Sequence, residues 1–177
     1  KTTFSEINVA CEACHGPASD HLEWLKDPSK KNKFSGFKDD LSKAVSQWSV
    51  KAGKSTLMPD SIGHSQQNIA CAKCHSRHLQ ISAADPVETG AFGDRYLLNL
   101  INSPMYYPDG QIHDESFVYG SFLQSKMHAN GVSCTNCHDA HSAKLTLPKE
   151  QICLQCHTPE KYATPKHHHH PNNSSGA

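Results

Sequence analysis

Gly131-Val-Ser-Cys134-Thr-Asn-Cys137-His138-Asp-Ala-His141, and shortly after it Cys153-Leu-Gln-Cys156-His157, is the stretch whose reading decides the fold. Each half contains Cys-x-x-Cys-His. The same pattern occurs upstream as Cys11-Glu-Ala-Cys14-His15 and Cys71-Ala-Lys-Cys74-His75, so four copies account for all 8 cysteines. Cys-x-x-Cys-His is the attachment site of c-type haem. Two thiols add across the porphyrin vinyl groups, and the next His ligates the iron from the proximal side. The two-residue gap lets the thiols reach neighbouring pyrrole rings, with the adjacent His under the iron.

Two other chemistries use paired cysteines. Cys-x-x-Cys is half of many zinc sites and the whole of many redox dithiols. Eight cysteines could also make four disulfides in a secreted domain. The histidines decide between them. With 14 His in 177 residues, a His after all four pairs by chance has a probability of about 4 in 100,000. Zinc does not need a His at that position. The reading is four haem c groups held by Cys11, Cys14, Cys71, Cys74, Cys134, Cys137, Cys153 and Cys156, with His15, His75, His138 and His157 as proximal iron ligands. Haem attachment occurs outside the cytoplasm, which predicts a periplasmic, outer-surface or extracellular protein.

Composition agrees with a cofactor-built core. Leu, Ile, Val and Phe together number only 31 of 177 residues, a range that suggests disorder when net charge is high. Here Lys+Arg and Asp+Glu balance at 17 each. Four porphyrin discs would supply the missing apolar surface. With two propionates and one ferric-porphyrin charge per haem, the oxidised protein would carry about −4. Zero peptide charge argues against nucleic-acid binding. No stretch approaches the ~18 apolar residues of a membrane span. A starting Met, a signal peptide and a twin-Arg segment are all lacking, so the chain reads as a mature product or an excerpt of something longer.

A low-spin electron-transfer haem needs a second axial ligand, His or Met. Ten other His are available against three Met, Met58, Met105 and Met127, which favours bis-His ligation. His141 lies three residues after His138 and can reach a neighbouring iron. His128 ends a helical stretch six residues before Cys134. His21 lies six residues after His15 at the start of a short helix, with Ser19 as its cap. These three are the distal candidates, joined by His167 or His168 from the internal run His167–His170. That run has four members, not six, and is followed by Pro171, so it is not read as a purification tag. For His78, His64 and His113 the blander reading of a solvent-exposed or propionate-bonded His is preferred.

The motifs start at 11, 71, 134 and 153, so the last two form a sequence-local pair, bridged by 143–147 and a turn at Pro148. The expected fold class is mostly loop with short α-helices and very little β, a tetrahaem c-type cytochrome wrapped around a haem core as one domain over 1–177. Asp39–Val50 carries Leu41, Ala44, Val45 and Trp48 at helical spacing, which predicts a helix. Further helices are expected over Asp94–Asn102 and Phe117–His128. Short helical turns are expected at each motif, and a tight turn at Pro108-Asp109-Gly110. The aromatic residues Trp24, Trp48, Tyr96, Tyr106, Tyr107, Tyr119 and Phe122 are expected against porphyrin faces.

The chain resembles multihaem c-type cytochromes of the group that includes hydroxylamine oxidoreductase and cytochrome c nitrite reductase. It is closer to larger bacterial multihaem proteins that often carry tetratricopeptide repeats. The resemblance rests on Ser5-Glu-Ile-Asn-Val-Ala-Cys11-Glu-Ala-Cys-His-Gly-Pro17 with His21, and on Cys71-Ala-Lys-Cys-His-Ser-Arg77. It continues through Asp109-Gly-Gln-Ile-His-Asp-Glu115, Tyr119-Gly-Ser-Phe-Leu-Gln-Ser-Lys-Met-His128, Gly131–His141 and Cys153–Tyr162. It implies distal roles for His21 and His128. Two departures stand out. Such relatives carry further motifs on both sides, so the chain is either a compact four-haem member or part of a longer multihaem protein. They also lack His at the positions of His78 and His113, which points to altered ligation here, including across a subunit boundary.

Electron transfer is the leading functional expectation, with redox proteins as partners and no residue-based catalysis. One alternative is a subunit of a homopolymeric filament with haem-to-haem contacts. The other is an oxidoreductase acting on a small nitrogen or sulfur species at a five-coordinate haem.

Overall fold

A computed structural model describes residues 3, 8–30, 32, 34–82, 91–114, 117–148 and 150–171. The chain divides into two compact units. The first comprises Lys1–Ser42 and His64–Ala129, the second Lys43–Gly63 and Asn130–Ala177. Among the described residues the helices are short, the strands are two or three residues long, and irregular segments connect them.

The first unit contains α1 (Cys11–His15), α2 (Ser19–Lys26), α3 (Gln67–His75) and α4 (Phe92–Arg95), then α5 (Tyr119–Leu123) and α6 (Lys126–Ala129). Between α1 and α2 the chain turns at Gly16-Pro17, and Glu12 accepts the Ala18 N–H at 2.8 Å. Helices α1 and α3, each carrying a Cys-x-x-Cys-His motif, pack against one another. A ribbon of β3 (His78–Gln80) and β4 (Tyr96–Leu98) follows α3, pairing His78 with Leu98 and Gln80 with Tyr96. The Pro108 turn closes a small bridge between Tyr106 and Ile112, with the Gly110 N–H on the Tyr107 carbonyl.

The second unit holds β1 (Trp48–Ser49) paired with β2 (Met58–Pro59), and a 3₁₀ turn at Cys134–Asn136. Then come β5 (His138–Asp139) paired with β6 (Lys144–Leu145), α7 (Gln151–Leu154), α8 (Pro159–Tyr162) and α9 (Pro165–His168). Pro at the first position of α8 and α9 suits a helix start, where its missing N–H has no partner to lose.

Two helix expectations fail. Over 39–47 the backbone is irregular, and Trp48–Ser49 is a strand. Tertiary partners take the bonds that an i→i+4 ladder would have used. The Asp40 carbonyl accepts from the Gln66 N–H, and the Ala44 carbonyl from the Gly63 N–H. The Ala44 N–H donates to Ser133 Oγ at 3.0 Å. The apolar stripe is still used in part, with Val45 buried. In 94–102 the helix ends at Arg95 and Tyr96–Leu98 becomes a strand, because His78–Gln80 offers a partner edge. A short apolar run is ambiguous in sequence until such an edge exists. The expected 117–128 helix forms as two short helices, α5 and α6, separated at 124–125, with α6 ending one residue beyond the expected span at Ala129.

The polypeptide's own core is small. Val45, Ala72, Tyr106 and Tyr119 are the buried apolar residues described, while 14 large apolar side chains are exposed. Tyr106 and Tyr119 are both part of this core. Tyr106 Oη donates to the Phe117 carbonyl at 3.0 Å. Among the described residues no helix is long and apolar enough to cross a membrane.

Candidate haem attachment and ligation sites

All eight cysteines are free thiols. Each motif presents its thiols from a helical turn or its edge: α1, the C-terminal half of α3, the 3₁₀ turn at Cys134, and α7 with the turn after it. A helical turn places residues i, i+3 and i+4 on one face. That puts Cys71, Cys74 and His75 on the same side of α3, and Cys11, Cys14 and His15 on the same side of α1. No motif cysteine or motif His is buried, so none is committed to the polypeptide core.

The motifs fall into two pairs. In the first unit, burial is the main cause that pushes the Cys14 thiol above its ordinary pKa, and the neighbouring Cys71 and Cys74 add to it. Lys73 opposes them. Sixty residues of chain thus close on themselves to bring the first motif to the second. In the second unit, burial and Cys153 raise the Cys137 thiol, and burial and Cys137 raise Cys156. Gln155 Nε2 donates to the Asn136 carbonyl at 3.0 Å, tying the fourth motif to the third. The pairing of motifs three and four was legible from their short spacing. The pairing of one with two was not, since nothing in the intervening sequence marks it.

The histidine rings differ in which nitrogen is occupied. His21 Nδ1 donates to the Ser35 carbonyl at 2.6 Å, and His113 Nδ1 to the Pro104 carbonyl at 3.0 Å. A carbonyl can only accept, so in the neutral ring the Nε2 lone pair is bare, the state a metal ligand needs. The His21 ring also stacks on Phe37, centroids 4.5 Å apart, and Phe37 lies 5.5 Å from the His15 ring. His157 Nδ1 lies 3.0 Å from Thr56 Oγ1, which lies 3.0 Å from Tyr162 Oη. Backbone bonds on both sides hold this arrangement, Leu57 N–H to the Cys156 carbonyl and Thr158 N–H to the Ser55 carbonyl. Burial, then the neighbouring His167, pushes the His157 pKa down and favours its neutral form.

His128 is half-buried on α6, edge-on to Phe122 at 5.3 Å. His141 is exposed in the turn between β5 and β6, its N–H on Asp139 Oδ1 at 3.1 Å. Hydrogen bonds, from the Ser142 hydroxyl first and this N–H next, hold the Asp139 carboxyl below its usual range. His167 lies edge-on to Tyr162 at 4.9 Å. His168 Nδ1 accepts the His170 N–H at 3.2 Å, which puts the ring proton of the neutral form on Nε2. Of the two, His167 is the better placed to offer a ligand nitrogen. Ser35, Thr56 and Ser76, which orient ligand-type rings, were not singled out by sequence. Two of them act on residues 14 and 101 positions away.

The donor set suits covalent haem better than zinc. Among the described residues no group of three or more His, Cys, Asp or Glu converges as a metal cage. A structural zinc site requires four converging ligands, whereas a haem iron takes two, on opposite faces of a ring. Trp48 Nε1 and Arg77 Nε are buried donors without a hydrogen-bond partner among the described residues, and propionate carboxylates are acceptors that match them. A cavity of about 650 Å³ in the first unit is walled by Phe92, Tyr96, Lys38 and Arg95, with Ile69, Ala70 and Lys73 of α3 facing it. Ala70 lies one turn before Cys74 on α3, so the cavity borders the helix that carries the second motif.

No family model matches the chain, and neither a curated protein nor a solved structure shows significant similarity to it.

Proposed function

We propose that this chain is an electron-transfer protein built on four covalently attached c-type haems, working outside the cytoplasm with redox proteins as partners. The observation that carries the reading is the fourfold Cys-x-x-Cys-His pattern, supported by all eight cysteines being free of disulfide pairing. When bound, the haem irons supply reversible one-electron chemistry. The residues of the chain do the rest. The eight cysteines anchor, and His15, His75, His138 and His157 ligate from the proximal side. His21, His128, His141 and His167 are among the candidates for the four distal positions. The paired motifs bring two attachment sites together in each unit, which favours rapid exchange within each pair.

The small polypeptide core fits this role, because most of the apolar contact area would come from the porphyrins. Chain produced without haem is accordingly expected to lack cooperative unfolding. The test is a pyridine haemochrome assay combined with intact mass on protein matured by a haem-attachment system. Four haems per chain and ferric spectra dominated by low-spin signals are expected. Stoichiometric zinc, or four disulfides with no haem, would overturn the reading.

A further inference from the structure

The family resemblance offers no role for His78, yet its surroundings are those of a metal ligand. Resting on the haem reading above, we propose that His78 is a distal axial ligand, and that it serves the iron of the haem anchored at Cys11 and Cys14. Three observations carry this.

First, the ring nitrogen is assigned by its partners. His78 Nδ1 lies 3.1 Å from the Ser76 carbonyl and 2.8 Å from Ser76 Oγ. Ser76 is buried, 2% exposed, and its hydroxyl donates to the Ala72 carbonyl at 2.6 Å. With its proton committed to that carbonyl, the hydroxyl can only accept from the imidazole. Both contacts therefore demand Nδ1–H, and Nε2 is left as a bare lone pair. A ring N–H fixed by a carbonyl and a buried hydroxyl is the outer-shell arrangement that orients ligating histidines. His64 contrasts with this, since its Nε2 accepts from the Gln66 amide at 3.1 Å.

Second, the ring is held in place. Tyr96 meets it edge-on at 4.4 Å and Phe92 at 5.9 Å, and its backbone is fixed by pairing with Leu98. A preorganised ring loses little freedom on ligation.

Third, topology selects the iron. His75 closes α3 and His78 opens β3. Three extended residues reach about 10 Å at most, too short to carry His78 round a porphyrin edge to the face opposite His75. The other attachment site of the same unit is on α1, which packs against α3.

The experiment uses the haem-loaded protein and reads spin state by electron paramagnetic resonance and magnetic circular dichroism. In His78→Ala one of four ferric haems should turn high-spin and bind carbon monoxide when reduced, and added imidazole should restore it. His64→Ala should remain low-spin throughout. When Cys11→Ser and Cys14→Ser remove the first haem, adding His78→Ala should change nothing at the remaining three. Should His78→Ala fail to fold, His78→Met keeps a ligand, and one of four potentials should rise. Four low-spin haems in His78→Ala, or a redox titration of His78→Met that superimposes on the parent, would overturn this assignment alone. A parent protein with no haem would overturn the electron-transfer reading and this assignment together.

Discussion

Gly36 packs directly against the backbone of His21, a proposed distal ligand, and replacing it with Ala tests that link. The turn over 34–36 is tied by Asn32 Oδ1, which accepts from the Phe34 and Gly36 N–H groups at 3.0 and 2.9 Å. Gly36 has φ 90° and lies directly against α2. A methyl group there would sit 2.5 Å from His21 Cα and 2.6 Å from both the Asp20 carbonyl oxygen and the His21 amide nitrogen. All three are backbone atoms, so no side-chain rotation relieves the overlap. The left-handed backbone costs an L-residue about 1–2 kcal/mol, and forcing packed segments apart adds about 1–3 kcal/mol. A destabilisation of about 3 kcal/mol, or roughly 6–12 °C in Tm for a chain of this size, follows. The second effect is local. Moving the turn from α2 breaks the 2.6 Å bond from His21 Nδ1 to the Ser35 carbonyl, so one haem should become accessible to carbon monoxide. Gly53→Ala is the control, since Gly53 also has positive φ but nothing within 4 Å of the added Cβ. It should show only the backbone cost and unchanged haem spectra. Calorimetry and carbon monoxide binding on the haem-loaded variants read both effects. The reasoning is refuted if Gly36→Ala melts with Gly53→Ala and binds no carbon monoxide.

Ser133 is 1% exposed and accepts the Ala44 N–H; Ser133→Ala leaves that donor unsatisfied and should lower stability by about 1–3 kcal/mol in denaturant titrations. Cys134→Ser with Cys137→Ser should lower the haem content from four to three by haemochrome assay, and unchanged content would disprove those thiols as anchors. The exposed Asp60 carboxyl is held below its ordinary pKa, first by the Ser49 hydroxyl at 2.5 Å and then by Lys51. Its stabilising contribution is therefore present above the unfolded carboxyl range near about 3.9 and is lost as pH falls through the lower folded value. Asp60→Asn should flatten the acid limb of a Tm-against-pH curve relative to the parent, and an unchanged limb would show the bonds do not persist in solution.

Secondary structure was only partly legible. The 106–112 turn and the α5–α6 region could be read because Pro, Asp, Asn and Gly punctuate them through local backbone preferences. The stretch 39–50 misled for a physical reason. Helical spacing of apolar residues reports which side chains want burial, not whether the backbone meets its own i→i+4 partners or those of another segment. Val45 is buried as the stripe implies, but Gly63, Gln66 and Ser133 take the backbone groups. The strand at Tyr96–Leu98 was hidden similarly, since its partner edge at His78–Gln80 lies some 18 residues upstream.

By itself the sequence determined the fourfold Cys-x-x-Cys-His pattern on which the proposed haem anchoring rests, because thiol, spacer and His lie within five consecutive residues and their reach is set by covalent geometry. It also determined that the third and fourth sites are neighbours, since the chain between them is too short for anything else. Only the tertiary structure decided that the first and second motifs form a pair, and which imidazoles carry a bare Nε2. Both depend on contacts through space, α1 against α3 in one case and a serine carbonyl or hydroxyl against a ring nitrogen in the other. A hydrogen bond of three ångströms selects a tautomer whatever the sequence separation of its partners. His21 and His78 share one tautomer although the carbonyl that accepts from His21 lies 14 residues away and the one that accepts from His78 only two.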